Sequence, residues 1–506
     1  MLVHRALLTE DILDEIFNLN FTDRVTLASL ARVCRMFHEP AIRSLWRLLP
    51  KLFPIISLIP SCHVQTLEDE VPQNEVMANN EHKLSDASLR EWSRLRKYAR
   101  YVRHLSTLDY HRERQYISLT NWSMIRRLAG CEPVLPAVRG IFWQTDNLIS
   151  AEGLVTFLFP SESIDQLHIR CAHEDLTAEN EVQWAARIKL WINAVTQLAP
   201  HHNFVRLSFT ICDLPPSLVA IPLSLVAPNL PCTLKQLVLG TDLSLIDYPS
   251  LNALAGMPNV DTLELEEATM AWWGESVNHR DGLPAIINFP HLKYLVIRKC
   301  RLESSLTRVI TSGSLRYLRI DEMGYRDSAT LRHDCASLAV AFPSLNWLSL
   351  SLPRSGPQES LPAILNLLSP FFCHRMESVR IGTVWIPYTT DDDDITALSQ
   401  AWPTLAQLDI VASSGVALPE CNIGLRGLQS LATHCPSLTR LRVERVVVRP
   451  EDVARLPPDP PSHRLRSLRV NEGVSPDTYQ LITDKIYPSC KHTLYWDVIE
   501  EDTAPV

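Results

Sequence analysis

Four adjacent aspartates, Asp391 to Asp394, bring this sequence nearest to a metal site. Neighbouring carboxylates repel one another and point in different directions, and the central glycine and terminal glutamate of a calcium loop are missing. The run reads as a solvated loop leading into a helix. Two Cys-x-His pairs, Cys171 with His173 and Cys490 with His492, each stand without a second pair at zinc spacing. His201 and His202 follow Pro200 at a turn, with no serine elbow or other nucleophile motif beside them. No phosphate-cradling glycine loop is present, and the 506 residues include only 15 glycines. These residue types imply no catalytic side chain, no metal and no cofactor, and the chain is expected not to be an enzyme.

The net charge of −9 argues against a protein that coats nucleic acid or an anionic membrane, since both need a basic field. A local basic patch stays open. With 46% hydrophobic and 21% charged residues, the chain has the make-up of a soluble globular protein, and its length suits about three ordinary domains unless repeats change that count. Arg5, Glu10 and Asp11 interrupt any apolar run near the start, and "LLPKLFPIISLIP" carries Lys51 and three prolines, so neither a signal segment nor a spanning helix is expected. The 12 cysteines are scattered, the closest pair being Cys421 and Cys435. That spacing predicts reduced thiols and a cytoplasmic or nuclear location, or both.

The first fifty residues read as three amphipathic helices. Thr9 can cap the first, Glu10 and Asp11 suit its positive end, and Ile12, Leu13, Ile16 and Phe17 recur at helical spacing. Leu27, Leu30, Ala31, Cys34 and Phe37 form a stripe on the second. Pro40 suits the opening turn of a third, whose Ile42, Leu45, Trp46 and Leu49 share a side. Three helices this short cannot hide all these residues among themselves, which leaves some for a partner.

The stretch "LTEDILDEIFNLNFTDRVTLASLARVCRMFHEPAIRSLWRLL" resembles an F-box over residues 4 to 49. The leucine and acidic start, the Ile-Leu and Ile-Phe pairs, the Val-Cys-Arg-x-Phe core and the closing Leu-Trp keep that family's order. Thr9 stands where the family usually has proline. The resemblance implies that Leu8, Ile12, Leu13, Ile16, Val33, Cys34 and Phe37 are core or adaptor-facing residues. It also implies docking onto the Skp-type adaptor of a cullin ubiquitin ligase. Read from the residues alone, they also fit the core of an N-terminal helical cap on a larger domain.

Residues 61 to 83 are polar and aperiodic, which predicts a loop or linker. Helix resumes at Asp86, with Leu89, Trp92, Leu95, Ala99 and Val102 near one face; the stretch "ASLREWSRLRKYARYVRHL" resembles the segment that joins F-box to repeats in many fungal F-box proteins.

A short phrase then recurs. "LKYLVI", "LRYLRI", "LNWLSL", "LAQLDI", "LTRLRV" and "LRSLRV" each place apolar residues at a first position and at three and five residues beyond it. Looser copies begin at Val138, Ile164, Phe204, Leu234, Val260 and Met376, and from Val138 to Leu465 the mean spacing is about 30 residues. This is the strand phrase of a leucine-rich repeat, whose stacked copies share one core. Runs such as "AVAFPSL", "SQAWPTL" and "LATHCPSL" predict a helix, then a proline that starts the turn into the next strand. Segments 269 to 284 and 385 to 395 are expected as loops that absorb irregular spacing.

The expected fold class is α/β. A three-helix F-box (1–50) leads through a linker and docking helix (51–110) into an irregular leucine-rich-repeat solenoid (111–493), with strands inside and helices outside, and an acidic tail (494–506) follows. Within each phrase the residue between the two later apolar positions, and the one before them, should point outward. That aligns Tyr294, Tyr317 and Trp347 in one row, and Arg319, Arg380, Arg442 and Arg469 in another with Asp409 interrupting. Such rows can serve only to pair aromatics across strands and keep the face soluble; rigid aromatics beside arginines also suit a protein target with an acidic or phosphorylated segment. The reading is a substrate-recognition subunit of a Skp-cullin-F-box ubiquitin ligase; the alternative is a non-degradative repeat scaffold or signalling protein.

Overall fold

The computed structural model describes residues 9–19, 23–51, 53–59, 64–66, 86–106, 115–117, 119–130, 132–145, 163–171, 203–211, 230–240, 248–266, 286–298, 310–321, 323, 328–352, 363–383, 390–412, 423–454, 456, 463–472 and 476–490. The chain forms two compact units, Met1–Ser250 and Leu251–Val506.

The first unit opens with α1 (Glu10–Leu19), α2 (Arg24–Val33) and α3 (Arg35–Arg47). Thr9 precedes α1 and its carbonyl accepts the Leu13 N–H at 3.1 Å. Asp23 caps α2 by accepting the Val25 and Thr26 N–H groups. Cys34, expected on the stripe of α2, is extended backbone between two helices, and Phe37 belongs to α3. The break lets the apolar faces meet around Leu13, Phe17, Leu27, Ala31 and Ala41, with Phe37 edge-on to Phe17 at 5.7 Å. Pro40, expected in an opening turn, lies inside α3, because that helix begins earlier with the His38 N–H bonded to the Cys34 carbonyl. Leu49 is not on the helix either; it is fully buried in strand β1 (Leu48–Leu49).

Within 61–83, expected as a loop, β2 (Val64–Thr66) is described as a strand. The helix Asp86–Ala99 follows with Trp92, Leu95 and Ala99 buried, and leads to β3 (His104–Ser106). Strand β4 (Gln115–Ile117) pairs antiparallel with β2. The phrase copies at Val138, Ile164, Phe204 and Leu234 then each start a strand two residues on: β5 (Gly140–Thr145), β6 (Gln166–Cys171), β7 (Arg206–Ile211) and β8 (Gln236–Gly240). Parallel pairing runs β1-β3-β5-β6-β7-β8.

The second unit keeps the same rule. Its strands are β9 (Thr262–Glu266), β10 (Ile287–Asn288), β11 (Tyr294–Arg298), β12 (Ile310–Thr311), β13 (Tyr317–Ile320), β14 (Trp347–Leu352), β15 (Ser378–Thr383), β16 (Gln407–Ala412), β17 (Arg440–Arg445) and β18 (Ser467–Glu472). All but β10 and β12, which pair with each other, form one parallel ladder β9-β11-β13-β14-β15-β16-β17-β18. The two later apolar positions are buried in copy after copy, as in Leu295 and Ile297, Leu318 and Ile320, Leu408 and Ile410, Leu441 and Val443. Each such side chain contributes roughly 1.5–3 kcal/mol against exposure. The helices Ser328–Ala341, Asp392–Ala401 and Leu425–His434 each end two residues before a proline, so strand and helix alternate along a leucine-rich-repeat ladder.

Polar side chains fasten several repeats to the one before. A hydroxyl just ahead of the phrase donates to the previous copy's first carbonyl, Ser163 to Val138 (2.6 Å), Thr233 to Phe204 (3.0 Å) and Thr404 to Met376 (3.0 Å), while Ser344 reaches Gly313 (2.6 Å), two residues ahead of the previous copy. The buried indole of Trp402 donates to Phe371 at 3.1 Å.

Asp391 and Asp393 are exposed, as a solvated run would be, but the helix begins already at Asp392, and that residue belongs to this set of contacts. Asp391 is the N-cap, in a capping box with Asp394. Asp393 pairs with Arg426 at 3.0 Å. Asp392 reaches into the next repeat and accepts the N–H groups of Gly424 (2.6 Å) and Gly427 (2.9 Å). Burial raises its pKa despite those two hydrogen bonds, which act the other way. A Cβ on Gly427 would lie 2.6 Å from the Asp392 Oδ1.

Asp392→Ala should therefore cost about 1–3 kcal/mol in chemical denaturation, because two buried N–H groups lose their acceptor. Asp392→Asn, which keeps an acceptor without a buried charge, should cost less. Gly427→Ala should destabilise, although alanine ordinarily stabilises a helix interior relative to glycine by roughly 0.5–1 kcal/mol. In the first unit, burial and then Arg206 lower the His168 pKa to about 4. Because the folded value lies below the unfolded one, the stability this group contributes is full above about pH 6.5 and is lost as pH falls from there through about 4. His168 stacks on Phe142 with ring centroids 4.3 Å apart, so His168→Phe should keep the stack and flatten the denaturation-midpoint profile over that window.

Candidate functional site

Once α1–α3 have closed their core, apolar side chains remain outside it. Leu13 is buried at 3% exposure and Phe37 packs against the core, so these two hold the module together. Ile12 and Ile16, one turn apart on α1, are 41% and 37% exposed. Val33 (65%) and Met36 (41%) are exposed where α2 meets α3, beside exposed Cys34. Met36 was not among the sequence candidates, because a methionine between Arg35 and Phe37 carries no periodic signal. Leu8 lies outside the described residues.

In the second unit the strand register brings the outward rows together as the alternation predicts. Tyr294 pairs with Tyr317, and Tyr317 with Trp347. The Tyr317 and Trp347 rings stack at 4.0 Å and 14°, and Tyr294 tilts against Tyr317 at 5.7 Å. Burial raises the Tyr317 pKa. The neighbouring row runs Val296, Arg319, Ser349, Arg380, Asp409, Arg442, Arg469.

The four arginines of that row are not equivalent. Arg319 is held by Asp321, at 3.0 Å from Nε and 2.8 Å from the fork, and that carboxylate raises its pKa. Its charge is already matched. Arg380 is exposed, while Arg442 is half-buried with a lowered pKa, first through burial and then through Arg469. Among the described residues the Arg442 Nε has no hydrogen-bond partner. Asp409, 8% exposed, receives Arg440 at 3.4 Å. Arg440 and buried Glu444 were not among the sequence candidates; Arg440 sits in the aromatic row's register, three strands beyond Trp347, and the alternation rule could have found it.

Among the described residues no group of three or more His, Cys, Asp or Glu side chains could hold a metal ion, and no helix is long and apolar enough to cross a membrane. His173, His201, His202 and His492 lie outside the described residues. His434 Nδ1 lies 3.2 Å from Ser430 Oγ and 3.4 Å from Ser399 Oγ, a cluster that joins two successive repeat helices.

No protein-family model and no curated protein matches the chain. It is similar to several solved structures. One is the Rad7–Elc1 complex in yeast, at 14% identity and TM-score 0.34 over 72% of this chain and 75% of that one. Another is the leucine-rich repeat-containing protein LegL7 from Legionella pneumophila, at 11% identity and TM-score 0.32 over 73% and 95%. A third is the TLR13–ssRNA13 complex, at 13% identity and TM-score 0.29 over 76% and 54%.

Proposed function

We propose that this chain is a tether: α1–α3 dock onto a Skp-type adaptor and through it a cullin ubiquitin ligase, while the outward strand rows of Leu251–Val506 capture a protein target. The observation that carries the reading is the exposed Ile12 and Ile16 pair on a helix whose other face is already filled by the core. Sequence resemblance to an F-box supports the identity of that partner. The stacked aromatic row gives a rigid apolar anchor, and Arg380, Arg440, Arg442 and Arg469 outnumber Asp409 and Glu444 beside it. An acidic or phosphorylated segment fits that imbalance through charge-assisted hydrogen bonds. The chain itself makes and breaks no bonds in this account. It contributes proximity, in the cytoplasm, the nucleus or both.

Ile12→Asp with Ile16→Asp is the discriminating docking variant, since both positions are exposed and neither belongs to the helical core. Adaptor recovery in a pull-down should fall by about thirtyfold or more with the circular dichroism spectrum unchanged. Retained adaptor on the folded variant removes the docking assignment. Leu13→Asp would not serve, because it charges the helical core.

For the target face, Tyr317→Ala with Trp347→Ala should weaken target capture and leave adaptor binding intact. Arg380→Glu with Arg469→Glu should weaken capture more at low salt than at high salt. Arg442 is a poor choice, since a carboxylate there would be half-buried beside Asp409 and Glu444. Undiminished capture by both double variants would move the target site off these rows.

A further inference from the structure

Three arginines occupy the same repeat position in Met1–Ser250. Arg47, Arg103 and Arg139 each stand immediately before a strand, β1, β3 and β5, and successive backbones are bonded there: Arg103 N–H to the Arg47 carbonyl at 2.9 Å, Arg139 N–H to the Arg103 carbonyl at 2.7 Å. The ladder thus stacks three like charges on neighbouring strands, which is unfavourable unless something neutralises them. They face a cavity of about 530 Å³, into which Arg43 of α3 and Arg100 also project.

Five guanidinium groups line this space and one carboxylate, Asp14, which is already engaged by Arg43 at 2.5 Å. Arg100 pairs with Glu39 at 3.4 Å and lies over the Tyr101 ring at 4.6 Å. Arg103 donates to the Ala137 carbonyl at 3.0 Å, and its pKa is lowered by burial and then by Arg139, Arg47 and Arg43. Among the described residues neither Arg47 nor Arg139 has a carboxylate within ion-pair distance, although the whole chain is net acidic at −9. The cavity lies in the size range of ligand pockets, roughly 300–1,000 Å³, and exceeds what a single phosphate needs.

We propose that this cleft binds a small free polyanion carrying two or more phosphate groups, held by the forks of Arg47, Arg103 and Arg139. Guanidinium groups bind phosphate oxygens in pairs, and a ladder of them offers several such forks in line. The ligand would bridge α3 to the first three strands, and so brace the helical module against the repeats of its own unit.

Inorganic tripolyphosphate is the probe, titrated calorimetrically into the full-length chain at constant ionic strength. One saturable site is expected, bound at least tenfold more weakly by Arg47→Ala with Arg139→Ala and unchanged by Arg380→Glu with Arg469→Glu. Without ligand, the Arg47→Ala with Arg139→Ala chain should melt at or above the wild-type temperature, because repulsion has been removed. A purely structural role for these arginines would lower that temperature. No saturable binding would overturn the proposal, as would equal weakening by both variant pairs, which marks unspecific attraction to arginine. Orthophosphate binding as tightly as tripolyphosphate would overturn its polyphosphate character.

Discussion

Parallel backbone pairing between successive repeats is the constraint from which the other features follow. Each strand that carries the phrase begins two residues after its first apolar position, so within each unit the hydrogen bonds lock the copies into one register. Two side chains per strand are thereby committed to the core, and those between them to the opposite face. Residues some thirty positions apart in sequence become neighbours about 4.8 Å apart in space. The aromatic row, the arginine row and the stacked Arg47, Arg103 and Arg139 are all products of this one arrangement.

Register alone would not keep irregular repeats in line, because the connections between strands vary in length. The hydroxyls ahead of several phrases, the Trp402 indole and the Asp392 carboxylate supply fixed points. Each spans one repeat to the next, so variation is confined to the segments between them. The glycines at 424 and 427 are part of the same device: absence of a side chain lets the Asp392 carboxylate approach their N–H groups.

Much of this was legible in the sequence, for identifiable reasons. Every copy of the phrase from Val138 to Leu465 corresponds to a strand, since its apolar positions are buried in copy after copy and so leave a periodic trace. The outward rows were legible through the same alternation. Strands β1 and β3 were not, because two or three residues directly after a helix leave no pattern of their own. The break at Cys34 was hidden by an apolar stripe that continues across two helices. Composition pointed the whole aspartate run to solvent, whereas Asp392 within it meets backbone groups of another repeat some thirty residues on. The arginine cleft was illegible for a related reason: Arg47, Arg103 and Arg139 lie far apart along the chain, and only strand register assembles them.

The functional account requires one chain to hold a ligase and a target at the same time. Affinity purification of the full-length protein followed by mass spectrometry, with and without proteasome inhibition, tests that requirement directly. The account predicts that the Skp-type adaptor and a cullin are recovered together, and that a specific set of further proteins accumulates on the chain when the proteasome is blocked. Recovery of an adaptor without cullin, with companion proteins indifferent to proteasome inhibition, would contradict it and leave a repeat scaffold in its place.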